Sequence, residues 1–464
     1  MRATLRRMMP SKSLVPALVR DGAERAIRYL ERLDERSVGP SADAVASLAR
    51  LREPLPERPC DPAEVLRLLD EIGSPATMGM AGRRFFGFVI GGALPITLAA
   101  NVLASAWDQN TGLWNVTPAT ATLEEVALGW MVDLLGLPPG TGGAFVTGAS
   151  VANFTALAAA RHQVLDRVGW NVEANGLFGA PPISVVVSAE AHPTLIKALG
   201  LLGLGRSRVL AVPTDAQGRQ RTDALPKIAG PSVVCLQAGN VNTGAVDPIE
   251  PLVAYARASG AWVHVDGAFG LWAATSTSKR ELVQGVGSAD SWATDAHKWL
   301  NVPYDCGLAF VREPHALRAA MAVTAEYLPT ATEHRNPADH TPELSRRARG
   351  VEVWAALRSL GREGIANMID RTCRHARRFA EGLDRAGFRI LNDVVLNQVL
   401  VSFGDAATTE RVVSALQLEG TCWCGTTVWQ GQTAMRISVT SWATTEEDVE
   451  KSLAAMIRIA RNAR

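Results

Sequence analysis

The chain carries almost no excess of either charge: 47 Lys and Arg stand against 46 Asp and Glu. That balance excludes the basic face of a nucleic-acid binder and the acidic tail of a solvating segment. Cysteine is scarce, six in 464 residues, too few for a disulfide scaffold. With no secretory signal peptide to take the chain out of a reducing cytosol, a cytoplasmic protein is expected. The start, Met1 to Arg20, is basic but lacks both a continuous apolar core and an extended acid-poor, Ser-rich stretch, so it reads as an arm or a frayed terminus. One uncharged run, Phe85 to Trp107, is long enough to span a bilayer. Gly87, Gly91, Gly92 and Pro95 break its first half and Thr97, Asn101 and Ser105 dilute its second, so it is assigned to a buried core and no membrane span is expected. Cys422 and Cys424 form a C-x-C without a second pair, which argues for buried free thiols and no metal site.

What is present is core-forming material. Hydrophobic residues make up 47% and charged residues 20%, the composition of a globular chain. Residues 41–82 read as amphipathic helices punctuated by Pro54, Pro56, Pro59 and Pro62. From Gly143 the short β-branched runs GAFVT, ISVVVS, RVLAV, SVVCLQ and AWVHVD alternate with helical patterns, the sequence form of βαβ units on a buried, mostly parallel sheet. After Pro342 come a long helical stretch, another helix, the strand-like VLNQVLVSF, RISVT and a final helix, a smaller α+β unit. The expected organisation is an N-terminal helical arm (1–95), a large α/β domain (96–345) and a small C-terminal α+β domain (346–464).

Ligands of open α/β sheets bind outside the carboxyl ends of the strands. Followed to those ends, the apolar runs deliver His192, Asn240, Asp266 with Gly267 and Ala268, and the turn Gly148, Ala149, Ser150, which opens a helix whose backbone N–H groups suit a phosphate. Each has a plainer reading: a loop histidine, a cap, a turn. Their convergence on one sheet edge favours a site. The strongest local signal is SADSWATDAHKWLNVPYDCG, where Lys298 lies between His297 and Trp299. Lys298 reads either as a snorkelling or salt-bridged lysine or as a desolvated amine suited to Schiff-base chemistry. A pyridoxal 5′-phosphate (PLP) enzyme needs such a lysine, a carboxylate for the ring nitrogen, a ring-stacking group and a phosphate cradle. Lys298, Asp266, His192 and the 148–150 turn supply one candidate for each.

Taken together, FFGFVIGG, TGASVANFTALAAAR, AEAHPTLIKA, QAGNVNTGAVDP, HVDGAFG, DAHKWLNVPYDCG, SRRARGVEVWAALRSLG and MRISVTSWATTEED resemble the group II PLP-dependent amino-acid decarboxylases, which include the aromatic-L-amino-acid and glutamate decarboxylases. The likeness runs from about Arg84 to Val449. It implies an α/β fold of fold type I, an obligate homodimer with active sites at the interface, and a small-molecule L-amino acid as substrate. By position it implies that Lys298 forms the internal aldimine, Asp266 pairs with the pyridine nitrogen and His192 stacks on the ring. Gly148, Ala149, Ser150 and His297 hold the phosphate, and Ala268 packs beneath the ring. Asn240 stands where the family usually has a threonine near the cofactor's phenolic oxygen, and as an amide it can still donate that hydrogen bond, so it is counted among the cofactor-binding residues.

The implied reaction is decarboxylation through a quinonoid to an amine and carbon dioxide. One departure bears on it: the family's loop tyrosine before the SRR motif, thought to protonate that intermediate, is missing. The chain has four tyrosines, Tyr29, Tyr255, Tyr304 and Tyr327, and none lies in residues 329–344. His334 or His340 replaces it, or Tyr327 reaches in, or oxygen or water intercepts the intermediate to give an aldehyde. An aminotransferase and a non-catalytic binding homologue are the remaining alternatives. Phe85, Phe86, Phe88 and Trp107 suggest a pocket for an aromatic substrate, with core packing as the other reading and acidic substrates still open. Trp423, Trp429 and Trp442 are expected to pack the small domain. Arg346 and Arg347 read as structural or interface arginines, and Arg436 as a carboxylate contact or half of an ion pair.

Overall fold

The computed structural model describes residues 14–323 and 333–463. Its centre is a seven-stranded sheet in the order β1-β7-β6-β5-β4-β2-β3. The strands are β1 (Gly142–Val146), β2 (Ser184–Ser188), β3 (Leu210–Val212), β4 (Ser232–Gln237), β5 (Trp262–Asp266), β6 (Ser291–Asp295) and β7 (Gly307–Val311). All run parallel except β7, which pairs antiparallel with both β1 and β6. β4, β5, β6 and β7 are buried along their whole length, which is why SVVCLQ reads as an uninterrupted apolar run rather than an alternation. The first five strands fall on the five expected runs. β6 (SWATD) and β7 (GLAFV) lack the β-branched density that marks a strand locally; they are strands because they fill the middle of the sheet.

Helices α1 (Leu14–Arg32), α2 (Pro95–Trp107), α3 (Pro118–Leu134), α4 (Ala149–Asp166), α5 (Pro193–Leu201), α6 (Ile249–Ala258) and α7 (Pro314–Met321) precede the long α8 (Gly350–Arg385), which breaks at Gly361 (φ 59°). On one side of the sheet, α4, α5 and α7 bury Ala152, Ala156, Ala159, Leu199 and Leu317 against Val185, Val187, Val233 and Trp262. The alanine-rich face of α4 lets its backbone approach the strands closely. On the other side, Leu128 and Met131 of α3 and Val353 and Ile369 of α8 close over Phe145, Val265 and Trp292.

A second, antiparallel sheet, ordered β10-β11-β9-β8, comprises β8 (Arg389–Ile390), β9 (Gln398–Ser402), β10 (Gly425–Trp429) and β11 (Gln432–Ser438). It packs with α9 (Ala406–Glu419) and α10 (Glu446–Asn462) around Phe379, Phe403, Cys422 and Cys424. Both cysteines are free and buried. Trp429 joins a small cluster with Leu400 and Ala434, while Trp442 donates from Nε1 to Ala93 O (2.9 Å) and ties the last strand back to the large unit.

The run 85–107 departs from the buried-core expectation. Thr97, Ala100 and Ala104 of α2 are buried, but Ile96, Val102, Leu103 and Trp107 are exposed, leaving one apolar face uncovered. No helix among the described residues is long and apolar enough to cross a membrane.

Candidate active site

The sheet delivers its polar strand ends to one edge. Asp266 is the last residue of β5 and Asp295 the last of β6; His297 and Lys298 follow in the next turn. His192 caps α5 and Gly148 caps α4, each at the carboxyl end of the preceding strand. Gly91 of the FFGFVIGG segment lies so close to this turn that a β-carbon there would sit 2.4 Å from Lys298 O. Asn301, in the left-handed region at φ 58°, pins the far side through its Nδ2, which donates to Trp299 O (2.8 Å) and Thr440 O (3.1 Å).

Lys298 Nζ lies 2.9 Å from Asp295 Oδ2. The amine is thus held by a carboxylate rather than isolated in an apolar pocket, which is the salt-bridged reading of this lysine. Asp295 is itself buried, and its Oδ1 accepts from the Ala149 N–H (2.6 Å) and stands 3.6 Å from His297 Nε2. A β-carbon on Gly148 would stand 3.2 Å from His297 Cε1. Gly148, Ala149, His297, Asp295 and Lys298 therefore form one continuous surface, with Ser150 exposed beside it. His297 Nδ1 accepts from the Cys306 N–H (3.1 Å), and its ring packs 4.3 Å from that of Tyr304.

Asp266 is 4% exposed. Its Oδ1 accepts from the Ala268 N–H (3.2 Å) and its Oδ2 from Asn153 Nδ2 (3.2 Å). Burial pushes this carboxyl above its ordinary range, opposed by the nearby His192 and Lys298 charges and the Asn153 hydrogen bond. His192 is held below the usual imidazole range by burial, with Asp266 pulling the other way and Lys298 and Arg436 adding to the depression. A neutral ring suits stacking. Its Nδ1 is taken by Thr194, whose hydroxyl lies 2.6 Å away. The structure thus brings Lys298, Asp266, His192, Ala268 and the 148–150 turn together.

Asn240 is placed differently. Its Oδ1 accepts from the Asn242 and Thr243 N–H groups (2.9 and 3.2 Å) and its Nδ2 donates to Gln237 Oε1 (3.2 Å), so the amide closes its own turn. Of the substitutes for the loop tyrosine, Tyr327 lies outside the described residues. His340 is buried, and lines a cavity of about 750 Å³ with Gly142, Gly143, Pro314 and Arg335 at the amino end of β1, the opposite edge of the sheet from Gly148. Burial drives it to about 3, so within its own subunit it is neither placed nor protonated to act as an acid at neutral pH. His334 stacks on Trp114, ring centroids 3.6 Å apart.

Phe85 and Phe86 are core, each 1% exposed, against Trp423 and Phe379 respectively. Only Phe88 and Trp107 of the aromatic set are exposed. Arg346 is structural, fully buried on Glu124, and Arg347 pairs with Glu352. Arg436 donates to Val241 O (3.1 Å) and has no carboxylate partner among the described residues, although burial disfavours its charge. Sequence reasoning missed Asn153, His264, Asp295 and Asn301; the only signal for Asp295 was its place three residues before Lys298.

This donor set fits PLP: an amine, a buried carboxylate, a neutral imidazole, and a helix N-terminus whose Gly148 has no β-carbon to crowd His297. Residues 57–404 match the family model described as the pyridoxal-dependent decarboxylase conserved domain. The chain is 30% identical over 385 residues to the L-2,4-diaminobutyrate decarboxylase of Rhizobium meliloti (strain 1021), covering 78% of this chain and 75% of that protein. It is 29% identical over 356 residues to the aromatic-L-amino-acid decarboxylase of Bacillus atrophaeus, covering 74% and 72%. Its fold is similar to that of Oryza sativa TDC solved with PLP and tryptamine, with a TM-score of 0.91 at 22% identity over 98% of this chain and 99% of that one.

Proposed function

This chain belongs to the pyridoxal-dependent decarboxylase family and is a PLP-dependent carboxy-lyase acting on an amino acid; we propose that Lys298, Asp266 and His192 carry that reaction at the carboxyl edge of the large sheet. The observation that supports the assignment is the Asp266 carboxyl buried at the end of β5, held by Asn153 and the Ala268 N–H at the edge where Lys298 and the Gly148 turn emerge. Lys298 would hold the cofactor's carbonyl carbon, Asp266 its ring nitrogen, His192 and Ala268 its two faces, and Gly148, Ala149, Ser150 and His297 its phosphate. When bound, PLP supplies the sink for the electron pair released as the Cα–carboxylate bond breaks.

The protein contributes position, charge and exclusion of water. Asp295 holds the Lys298 amine at the mouth of the phosphate cradle, where it would meet the cofactor's carbonyl carbon. Asp266, when ionised, would favour a proton on the ring nitrogen. Arg436, a guanidinium without an ion-pair partner among the described residues and close enough to depress His192, offers a seat for a substrate carboxylate. Asn240, bound within its own turn, is not part of this reading.

An amine and carbon dioxide are the proposed products. A second reading, release of an aldehyde, is favoured by one observation: no tyrosine stands in residues 333–344, and His340 lies at the wrong edge of the sheet. An aromatic substrate is slightly favoured over an acidic one by exposed Phe88 stacked on Trp423 (6.0 Å). A homodimer is part of the proposal, supported by the uncovered apolar face of α2 and by α1, which buries none of its residues. A cytoplasmic location is supported by six free cysteines, five of them buried. The test is product analysis of PLP-loaded protein with each common L-amino acid, in air and without oxygen. Amine plus carbon dioxide in both atmospheres is expected; aldehyde and hydrogen peroxide only in air would establish the second reading. A 2-oxo acid without carbon dioxide would overturn both.

A further inference from the structure

Behind Asp266 runs a chain of buried hydrogen bonds that reaches no solvent. Trp262 Nε1 donates to Ser291 Oγ (2.8 Å), Ser291 Oγ meets His264 Nδ1 (2.9 Å), His264 Nε2 meets Asn153 Oδ1 (2.8 Å), and Asn153 Nδ2 donates to Asp266 Oδ2 (3.2 Å). Every member is 4% exposed or less. The register explains the assembly. Trp262, His264 and Asp266 alternate along β5 and share one face of the sheet, Ser291 is the cross-strand partner of His264, and Asn153 comes down from α4.

With Asp266 ionised, the chain has one consistent direction. An indole N–H can only donate and an ionised carboxylate can only accept, so both ends are set. Asn153 turns its NH2 to Asp266 and its Oδ1 to His264 Nε2, so the neutral ring carries its proton on Nε2 and donates it to that carbonyl. His264 Nδ1 then accepts from the Ser291 hydroxyl, whose oxygen takes the Trp262 N–H. No second proton intervenes, because burial drives His264 to about 3. With the carboxylate ionised, any other arrangement sets two acceptors face to face in a dry interior, where an unpaired polar group is costly.

We propose that Asn153 and His264 are positioning residues for the decarboxylation site: with Ser291 and Trp262 they form a one-way relay that presents an N–H to Asp266 and keeps its carboxylate ionised and aimed at the cofactor's ring nitrogen. The proposal rests on the reading that Asp266 meets that nitrogen. Asn153 and His264 lie behind the carboxylate, acting through it.

The relay acts only on a ring that carries a nitrogen, which supplies the test. Apoprotein is titrated with PLP and with the analogue in which the ring nitrogen is replaced by carbon, following the bound absorbance and quenching of tryptophan fluorescence. The wild type should prefer PLP. Asp266→Asn should abolish that preference, and Asn153→Leu should weaken PLP binding roughly 10- to 100-fold, the range for losing one hydrogen bond to a charged group, with binding of the carbon analogue changed by less than about 3-fold. Ser291→Ala, which frees the His264 tautomer without opening a large cavity, should reduce the preference in the same direction by a smaller factor, and it carries the test where Asn153→Leu does not fold. Equal weakening of both ligands, or no change in either, would overturn the relay. An unchanged preference in Asp266→Asn would instead overturn the assignment of Asp266, so the two failures are distinguishable.

Discussion

Replacing Glu124 with glutamine should cost the protein about 3–5 kcal/mol, because the change removes the only carboxylate that the described residues supply to a buried cluster of two arginines. Glu124 Oε2 accepts from Arg346 Nη1 (2.6 Å) and Oε1 from Arg335 Nη1 (3.1 Å), and both the Glu124 and Arg346 side chains are 0% exposed. Arg346 also donates to Thr111 O (2.9 Å) and Phe145 O (2.7 Å), and Arg335 to Gly143 O (2.6 Å). The cluster therefore joins α3, β1 and the segment on either side of residue 340. Glutamine preserves the shape and those carbonyl contacts but leaves two cations without a counter-charge, which is why the effect belongs in the buried-pair range rather than that of an exposed bridge. At roughly 2.1 cal/mol/K of unfolding entropy per residue, spread over a unit of some 250 residues up to the whole chain, the thermal midpoint should fall by about 3–9 °C. Differential scanning calorimetry on wild type, Glu124→Gln, Arg346→Met and the double variant measures the coupling directly. The double variant should lose less than the sum of the singles. A Glu124→Gln midpoint within about 1 °C of wild type, or strict additivity in the cycle, would refute the argument that the charge pairing carries the effect.

Gly307→Ala should disturb the phosphate cradle specifically, since its β-carbon would stand 2.5 Å from Gly148 Cα and C; the expected overpacking cost is about 1–3 kcal/mol, with weaker binding of PLP and little change for pyridoxal, which lacks the phosphate, both read by equilibrium titration. Stability should fall in mild acid. His264 and His340 are held near 3 by burial, so the unfolded chain binds more protons below about 6.5 and stability is lost as pH falls from there toward 3. Asp247, pushed up to about 6, acts oppositely, its contribution being full below about 3.8 and lost as pH rises through 6; two terms against one leave a net loss of roughly 1.4 kcal/mol per pH unit between 6 and 4 from these groups. Urea midpoints across that range should flatten in His340→Gln, and an unchanged slope would count against the assignment. Charges placed on the open face of α2, as in Val102→Asp with Leu103→Asp, both residues more than half exposed, should convert a dimer to monomers in light-scattering measurements; an unaltered mass would show that this face is not the interface.

The strand ends were legible because the information that marks them is local. SVVCLQ and AWVHVD announce themselves by β-branched density, and the residue after each run is bound to emerge at a sheet edge, so Asp266, His192 and the Gly148 turn could be read out in order. β6 could not, since Ser, Trp, Ala, Thr and Asp carry no such pattern, although it bears Asp295, whose carboxylate holds the Lys298 amine. The aromatic run near Phe85 misled for the same reason: hydrophobicity says that a side chain is buried somewhere, and Phe85 and Phe86 went into the core against Trp423 and Phe379, more than 290 positions away.

The sequence by itself determined the family, the cofactor and the order of the chemical groups along the chain, because those reside in short motifs whose spacing survives without knowledge of the fold. Only the tertiary structure decided which groups touch. Asn153 meets Asp266 across 113 positions and His264 across 111, and Ala149 meets Asp295 across 146. Such contacts are set by how α4 lies on β5 and β6, and by the need of each buried polar atom for a partner once water is gone.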